Sequence, residues 1–305
     1  MGRVQQAMRR AAGVTPAEAT AESTVVIESY AEEATAAPPV PEAVFDSDAM
    51  RSEPGDPVPA PEAGTELARQ FHHRYEAKVV IDRSMLASSR EQYRRLAAAL
   101  HHAREASGVS VVMIASAVAG EGKSLTASNL ALTFSESYKR SVLLIDGDLR
   151  RPSIHSLFGL EARDGLSEAL LSIDEPELSL IQVSDRLTIL PGGRPNSDPM
   201  AGLVSGRMQR LITEARELFD WVFIDTPPVG LLSDANLLAA MVDAAVVVIR
   251  ADKTPYPLVQ RAVESIGRDR ILGTVLNQST AQARGTYYEY YHYYQAPRGV
   301  PTTGG

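Results

Sequence analysis

Nine consecutive residues, Ser116-Ala-Val-Ala-Gly-Glu-Gly-Lys-Ser124, combine types and spacing with an immediate chemical use. Gly120 and Gly122 allow dihedrals and a close backbone approach that a side chain would block. Backbone N–H groups can then line a concavity for phosphate oxygens. A helix starting near Ser124 adds the positive end of its dipole. Lys123 reaches the β- and γ-phosphates of a nucleotide, and the Ser124 hydroxyl binds Mg²⁺. This is the Walker A pattern, with Ala117 where the first glycine usually stands. The candidate ATP-binding residues are Ala119, Gly120, Glu121, Gly122, Lys123, Ser124 and Leu125.

Two further stretches place carboxylates where such a loop could use them. One is Val142-Leu-Leu-Ile-Asp-Gly-Asp148-Leu-Arg-Arg-Pro152, and the other is Trp221-Val-Phe-Ile-Asp225-Thr-Pro-Pro228. An aspartate after four apolar strand residues holds magnesium, directly or through water, opposite the phosphate loop. Asp146, Asp148 and Asp225 are therefore candidate carboxylates for a magnesium site that includes Ser124. A magnesium site that keeps several waters can use one of Asp146 and Asp148 and leave the other to accept a proton from an attacking hydroxyl.

These groups need strand ends to carry them. Short apolar runs follow Gly108 at Val111–Ala115, Val142–Ile145, Leu187–Leu190, Trp221–Ile224, Ala245–Ile249 and Ile271–Leu276. They are continuous rather than alternating, which suits strands buried on both faces. Helical patterns fall between them at Ser124–Tyr138, Leu166–Leu171, Ala201–Leu218, Asp234–Val242 and Leu258–Ile266. Alternating β and α segments predict an α/β fold with a doubly wound, mostly parallel sheet. Ligands of such sheets sit beyond the carboxyl ends of the strands, where the loop and the aspartates lie. Upstream, Val79–Ile81 reads as an edge segment, and Ser84 to about Glu105 as a helix with Met85, Tyr93, Leu96 and Leu100 on one stripe.

Composition bounds the rest. The 305 residues carry a net charge of -8, which argues against a nucleic-acid partner. There is no cysteine, so disulfides and thiolate metal sites are excluded. The most apolar stretch, Leu237 to Ala251, is too short for a bilayer and is broken by Asp243 and Arg250. The expectation is a cytoplasmic protein that meets the inner face of the plasma membrane through a partner. Residues 1–12 read as a short docking helix, with Val4, Ala7, Met8 and Ala11 at helical spacing. Residues 13–76 read as a disordered linker; positions 1–65 hold eight prolines and 11 acidic against four basic residues. Residues 77–280 form the expected nucleotide-binding domain, and 281–305 a flexible tail.

That tail is dense in one residue type. Tyr287, Tyr288, Tyr290, Tyr291, Tyr293 and Tyr294 are six of the chain's 11 tyrosines, within eight positions. They follow the last credible strand and lack a clear period. An aromatic patch for a partner and a flexible phosphorylation substrate are both open readings.

Together these motifs resemble the bacterial tyrosine autokinases (BY-kinases) of polysaccharide export, over about Ser84 to Tyr294. The carrying residues are Gly-Glu-Gly-Lys-Ser, the run Ile145 to Pro152, the run Ile224 to Pro228 and the terminal tyrosines. The resemblance implies an ATP- and Mg²⁺-dependent protein-tyrosine autokinase acting in exopolysaccharide or capsule chain-length control. It makes Lys123, Asp146, Asp148 and Asp225 the catalytic set, with Asp146 as base or metal-linked acid. It places Asn277 at adenine and the tail tyrosines as autophosphorylation sites. It also implies a membrane-embedded copolymerase as activator, a protein-tyrosine phosphatase and a homo-oligomer. Glu91 and Arg94 match two positions of the family's ring-forming Glu-x-x-Arg-x-x-Arg motif. Ala97 occupies the third, and Ala119 stands where family members commonly have proline.

Two other functions use the same fold. A positioning ATPase of the ParA/MinD type needs a second lysine early in the loop, and Val118 holds that place. A nucleotide-dependent scaffold of a polysaccharide export complex would bind ATP without turnover.

Overall fold

All six apolar runs become strands, each within a residue or two of its expected bounds. In a computed structural model, described over residues 2–11, 25–26, 71, 74–75, 77–161, 164–172, 178–229 and 233–279, they form one sheet. The strands are β1 Val25–Val26, β2 Val111–Ser116, β3 Val142–Asp146, β4 Ile181–Ser184, β5 Leu187–Leu190, β6 Trp221–Asp225, β7 Ala244–Arg250 and β8 Ile271–Asn277. Their order is β1-β8-β7-β2-β6-β3-β5-β4. Neighbours run parallel except at the two edges, where β1 pairs with β8 and β4 with β5 antiparallel. Neither edge strand was legible as a run: β1 is two residues long, and β4 carries Gln182 and Ser184.

The helices are α1 Arg3–Ala11, α2 Ala87–Ser107, α3 Lys123–Leu132, α4 Ile154–Leu157, α5 Leu166–Leu171, α6 Met200–Val204, α7 Arg207–Leu218, α8 Ser233–Ala239 and α9 Tyr256–Ile266. They cover both faces of the sheet. On one face, Tyr93, Leu96 and Leu100 of α2 and Leu130 of α3 pack on Val112, Ile114, Val142, Leu144 and Phe223. Phe134, in the π-helical turn that ends α3, meets Trp221 at a ring-centroid distance of 4.5 Å. On the other face, Met208, Leu211 and Ile212 of α7 cover Leu143, Ile145, Val222 and Ile224. Successive residues of each strand thus serve opposite cores, which is why the runs are continuous.

Several expectations change. The helix read over Ala201–Leu218 is two helices, because Gly206 adopts φ 69 and breaks it. Val79–Ile81 forms turns, not a strand. Val79 and Val80 are buried, and Asn129 of α3 bonds that turn, accepting the Val80 N–H and donating to the Lys78 carbonyl. The folded domain also begins before residue 77: Phe71 is 1% exposed and its ring lies 4.7 Å from Phe158. The expected docking helix of residues 1–12 is helical, but the chain's own domain seats it. Val4 and Ala7 are buried beside Met208, Leu211 and Ala215, and Glu214 accepts the Val4 N–H at 3.1 Å. The linker of residues 13–76 lies largely outside the described residues, as does the tail of 281–305. Among the described residues no helix is long and apolar enough to cross a membrane.

Candidate active site

The strand order brings the two aspartate-ended strands next to each other. β3 and β6 pair in parallel with Asp146 opposite Asp225, and β6 also pairs β2, whose end leads into the phosphate loop. Parallel neighbours lie about 4.8 Å apart, so the two carboxylates share one small volume. Both residues are fully buried. Gly147 lets the chain leave β3 over β6: a Cβ there would lie 2.7 Å from the Asp225 carbonyl.

The loop folds as its glycines require. Gly120 and Gly122 adopt φ 82 and 95. A Cβ on Gly122 would also lie 2.0 Å from the Asn277 amide, so glycine is needed there for space as well as for backbone. Helix α3 starts at Lys123 with no side-chain cap, leaving its first N–H groups for a ligand. Lys123 is buried to 7% exposure, and its Nζ lies 3.7 Å from Asp148 Oδ2. The Ser124 hydroxyl accepts a 3.0 Å bond from the Ser153 hydroxyl, which joins the loop to the segment after Asp148.

The carboxylates are unequally served. Asp146 Oδ2 accepts the N–H groups of Ser153 and Ile154 at 2.8 and 2.9 Å. Its Oδ1 and both oxygens of Asp225 are buried with no hydrogen-bond partner among the described residues. Burial and the facing Asp225 charge push Asp146 up to about 8, against the two N–H groups. Burial likewise pushes Asp225 up to about 6, while the Lys123 charge and the Ser124 hydroxyl pull it down. The protons belong to the pair, and the direction for both is upward because two carboxylates share one buried site.

Orphaned carboxylate oxygens in a dry site fit a cation. Among the described residues no three His, Cys, Asp or Glu side chains form a metal site by themselves. Mg²⁺ takes one or two carboxylates and completes its shell with hydroxyl, water and phosphate oxygens. Ser124, Asp146 and Asp225 fit this role. Asp148, expected with them, is instead turned toward Lys123.

The remaining site residues divide. Asn277 ends β8 with its carboxamide already engaged: Nδ2 donates to the Glu121 carbonyl at 2.7 Å, and Oδ1 accepts the Gln278 N–H at 2.9 Å. Ala119 lies in the loop, and Leu125 lies on α3 with its side chain buried in the core. Glu91 pairs along its own helix with Arg94 at 3.8 Å and Arg95 at 3.5 Å, and Arg94 is 56% exposed. The six tail tyrosines lie outside the described residues. Two participants were not picked out from sequence. Ser153 bridges to Ser124, and Arg150 bonds the buried Asp234 at 2.6 Å, fixing the segment behind Asp148. Both sit within the Ile145–Pro152 motif or next to it, and that proximity was the only available signal.

The family model described as ParA, NUBPL iron-transfer P-loop NTPase, matches residues 108–297. The chain has no cysteine, so the thiolates used to hold iron–sulfur clusters are absent. It is 34% identical to the tyrosine-protein kinase YwqD of Bacillus subtilis (strain 168) over 224 residues, covering 72% of this chain and 94% of that protein. It is 32% identical to the succinoglycan biosynthesis transport protein ExoP of Rhizobium meliloti (strain 1021), over 70% of this chain and 28% of that protein. Among solved structures, the kinase domain of the Escherichia coli tyrosine kinase ETK superposes with a TM-score of 0.58 at 29% identity, covering 61% of this chain and 74% of that one.

Proposed function

The chain belongs to the bacterial tyrosine-protein kinases, within the ParA-like P-loop NTPases, and on that premise we propose that it transfers the γ-phosphate of ATP to its own tyrosines 287–294. The observation that carries this reading is the pair of buried carboxylates at Asp146 and Asp225, three of whose four oxygens have no hydrogen-bond partner among the described residues, beside Lys123 and Ser124. Phosphoryl transfer is mostly positioning and electrostatics, and these groups supply both. The loop N–H groups and Lys123 hold and neutralise the transferring phosphoryl oxygens. Ser124 and Asp225 would hold Mg²⁺, whose charge would offset that of the phosphates and lower the proton affinity of the carboxylates beside it. In its ionised form Asp146 keeps one free oxygen, Oδ1, to orient the tyrosine hydroxyl and take its proton. Asp148 steadies Lys123, and Asn277 backs the loop from the adenine side.

In this reading the acceptor tyrosines come from a neighbouring subunit. Each phosphotyrosine adds about -1.5 to -2 charges, so full modification makes the tail a polyanion and loosens an assembly that the unmodified tail holds. The resemblance to ExoP, named for succinoglycan biosynthesis transport, supports a role in exopolysaccharide assembly. In that role a membrane-embedded copolymerase activates the kinase at the inner face of the membrane, and a phosphatase resets the tail. Mixing a full-length Lys123→Met chain with an active chain lacking residues 281–305 tests transfer between subunits. Phosphate on the tail of the Lys123→Met chain is expected; its absence, with the wild type active alone, would refute transfer in trans.

A further inference from the structure

Glu121 is a carboxylate inside a loop built to receive phosphates, which carry the same sign of charge. The fold turns it away from them. Glu121 is 1% exposed, and both of its oxygens are engaged. Oε2 accepts the Val118 N–H at 2.8 Å. Oε1 accepts the Arg250 N–H at 3.1 Å and the Thr254 hydroxyl. Its own carbonyl accepts the Asn277 amide at 2.7 Å. Val118 belongs to the phosphate loop, Arg250 ends β7, Thr254 lies in the turn into α9, and Asn277 ends β8. One residue therefore ties the loop to two strand ends and a turn. The transfer chemistry uses the loop backbone and leaves this side chain unassigned.

We infer that Glu121 is a positioning residue, a strut between the phosphate loop and the turn after β7 that presets the loop for nucleotide. The inference rests on reading the loop as the nucleotide site. Every partner of the side chain is a donor, and a carboxylate is the one side chain of this size that only accepts. Glutamine would turn an NH₂ group toward at least one of those donors. Three donors from separate parts of the chain converge on its two oxygens, so the strut holds the loop at several points. A preset loop binds without first giving up conformational freedom. Its loss weakens nucleotide binding in the ground state and the transition state alike, so KM rises while kcat holds.

The test measures affinity for a fluorescent ATP analogue, together with KM and kcat for tail phosphorylation. It uses full-length Glu121→Ala, Glu121→Gln, Thr254→Val and the Glu121→Ala/Thr254→Val double variant. Glu121→Ala should weaken analogue binding and raise KM about tenfold or more, with kcat within about threefold of wild type. Glu121→Gln should resemble Glu121→Ala. Thr254→Val should weaken binding about threefold, because the Arg250 N–H remains. The double variant should be no worse than Glu121→Ala alone, since one strut cannot be lost twice. Independent effects that multiply in the double variant would overturn the inference, as would wild-type affinity in Glu121→Gln or a fall in kcat at unchanged KM. Should Glu121→Ala fail to fold, Glu121→Gln decides, and wild-type affinity in it overturns the strut. Analogue binding is read without catalysis, so an inactive kinase would leave this test intact.

Discussion

Four aspartates sit at opposite ends of the same sheet and are treated in opposite ways. Asp220 and Asp243 lie where strands begin. Asp243 Oδ2 accepts the N–H groups of Ser110 and Val111, each at 2.9 Å, and both of its oxygens meet the Arg216 guanidinium. Asp220 Oδ2 accepts the Ser141 N–H and hydroxyl at 2.8 and 2.9 Å. Partial burial works to raise both, yet the Arg216 pair and the N–H groups hold Asp243 below its ordinary value, and the Ser141 bonds do the same for Asp220. Asp146 and Asp225 lie where strands end. They are more deeply buried, with three of their four oxygens unpartnered, and both are pushed upward. One end of the sheet spends its carboxylates on holding the chain together. The other keeps them poorly served, which weakens the ligand-free fold and leaves them ready for a cation and a proton.

The largest expected effect comes from removing the charge at the second end. Asp146→Asn, Asp225→Asn and Lys123→Met should each cut tail phosphorylation about 10²–10⁴-fold, read by phosphate per chain over time. Asp243→Asn should leave that rate near wild type and lower stability by about 1–3 kcal/mol in urea unfolding. If Asp243→Asn silenced transfer as Asp146→Asn does, the division between the two ends would not hold.

Acidity sharpens the same contrast. The folded protein holds the Asp146 and Asp225 protons up to about pH 8 and 6, whereas the unfolded chain releases them near 3.8. Their stabilising contribution is therefore complete below pH 3.8 and is lost as pH rises through those folded values. Asp220 and Asp243 act in reverse, contributing above the unfolded value and losing that contribution as pH falls below it. In a series of thermal melts without nucleotide, this end of the sheet should make Tm decline between about pH 4 and 8, and Asp146→Asn should flatten the decline and raise Tm at pH 8. An Asp146→Asn melt that tracks wild type at every pH would contradict the assignment. The smallest effect belongs to Glu91. Glu91→Ala should cost about 0.3 kcal/mol as an intrahelical pair. A change in subunit number on light scattering would instead show that Glu91 works between copies.

Much of this was legible because the strongest constraints are local. Gly120, Gly122, Lys123 and Ser124 are adjacent, and Asp146 and Asp225 each close a run whose continuity reports burial on both faces. What escaped depends on partners distant in sequence. Arg250 and Thr254 reach Glu121 across roughly 130 positions, so its side chain looked like one more loop residue. The resemblance implied Asp148 for the metal set, and spacing could not announce its 3.7 Å approach to Lys123 in the turn after β3. The break at Gly206 was hidden inside an unbroken helical pattern. The seat of α1 on α7 depends on Glu214, which no period in residues 1–12 could announce.

The central claim is that the unsatisfied carboxylates at the strand ends serve phosphoryl transfer to the tyrosine tail. The most direct measurement is intact mass with site mapping after Mg-ATP treatment of wild type, Asp146→Asn, Asp243→Asn and Lys123→Met side by side. Phosphate on residues 287–294 in wild type and Asp243→Asn only is the expected result. Phosphate on the tail of Asp146→Asn at wild-type levels, or on no tail at all with ATP still hydrolysed, would contradict it.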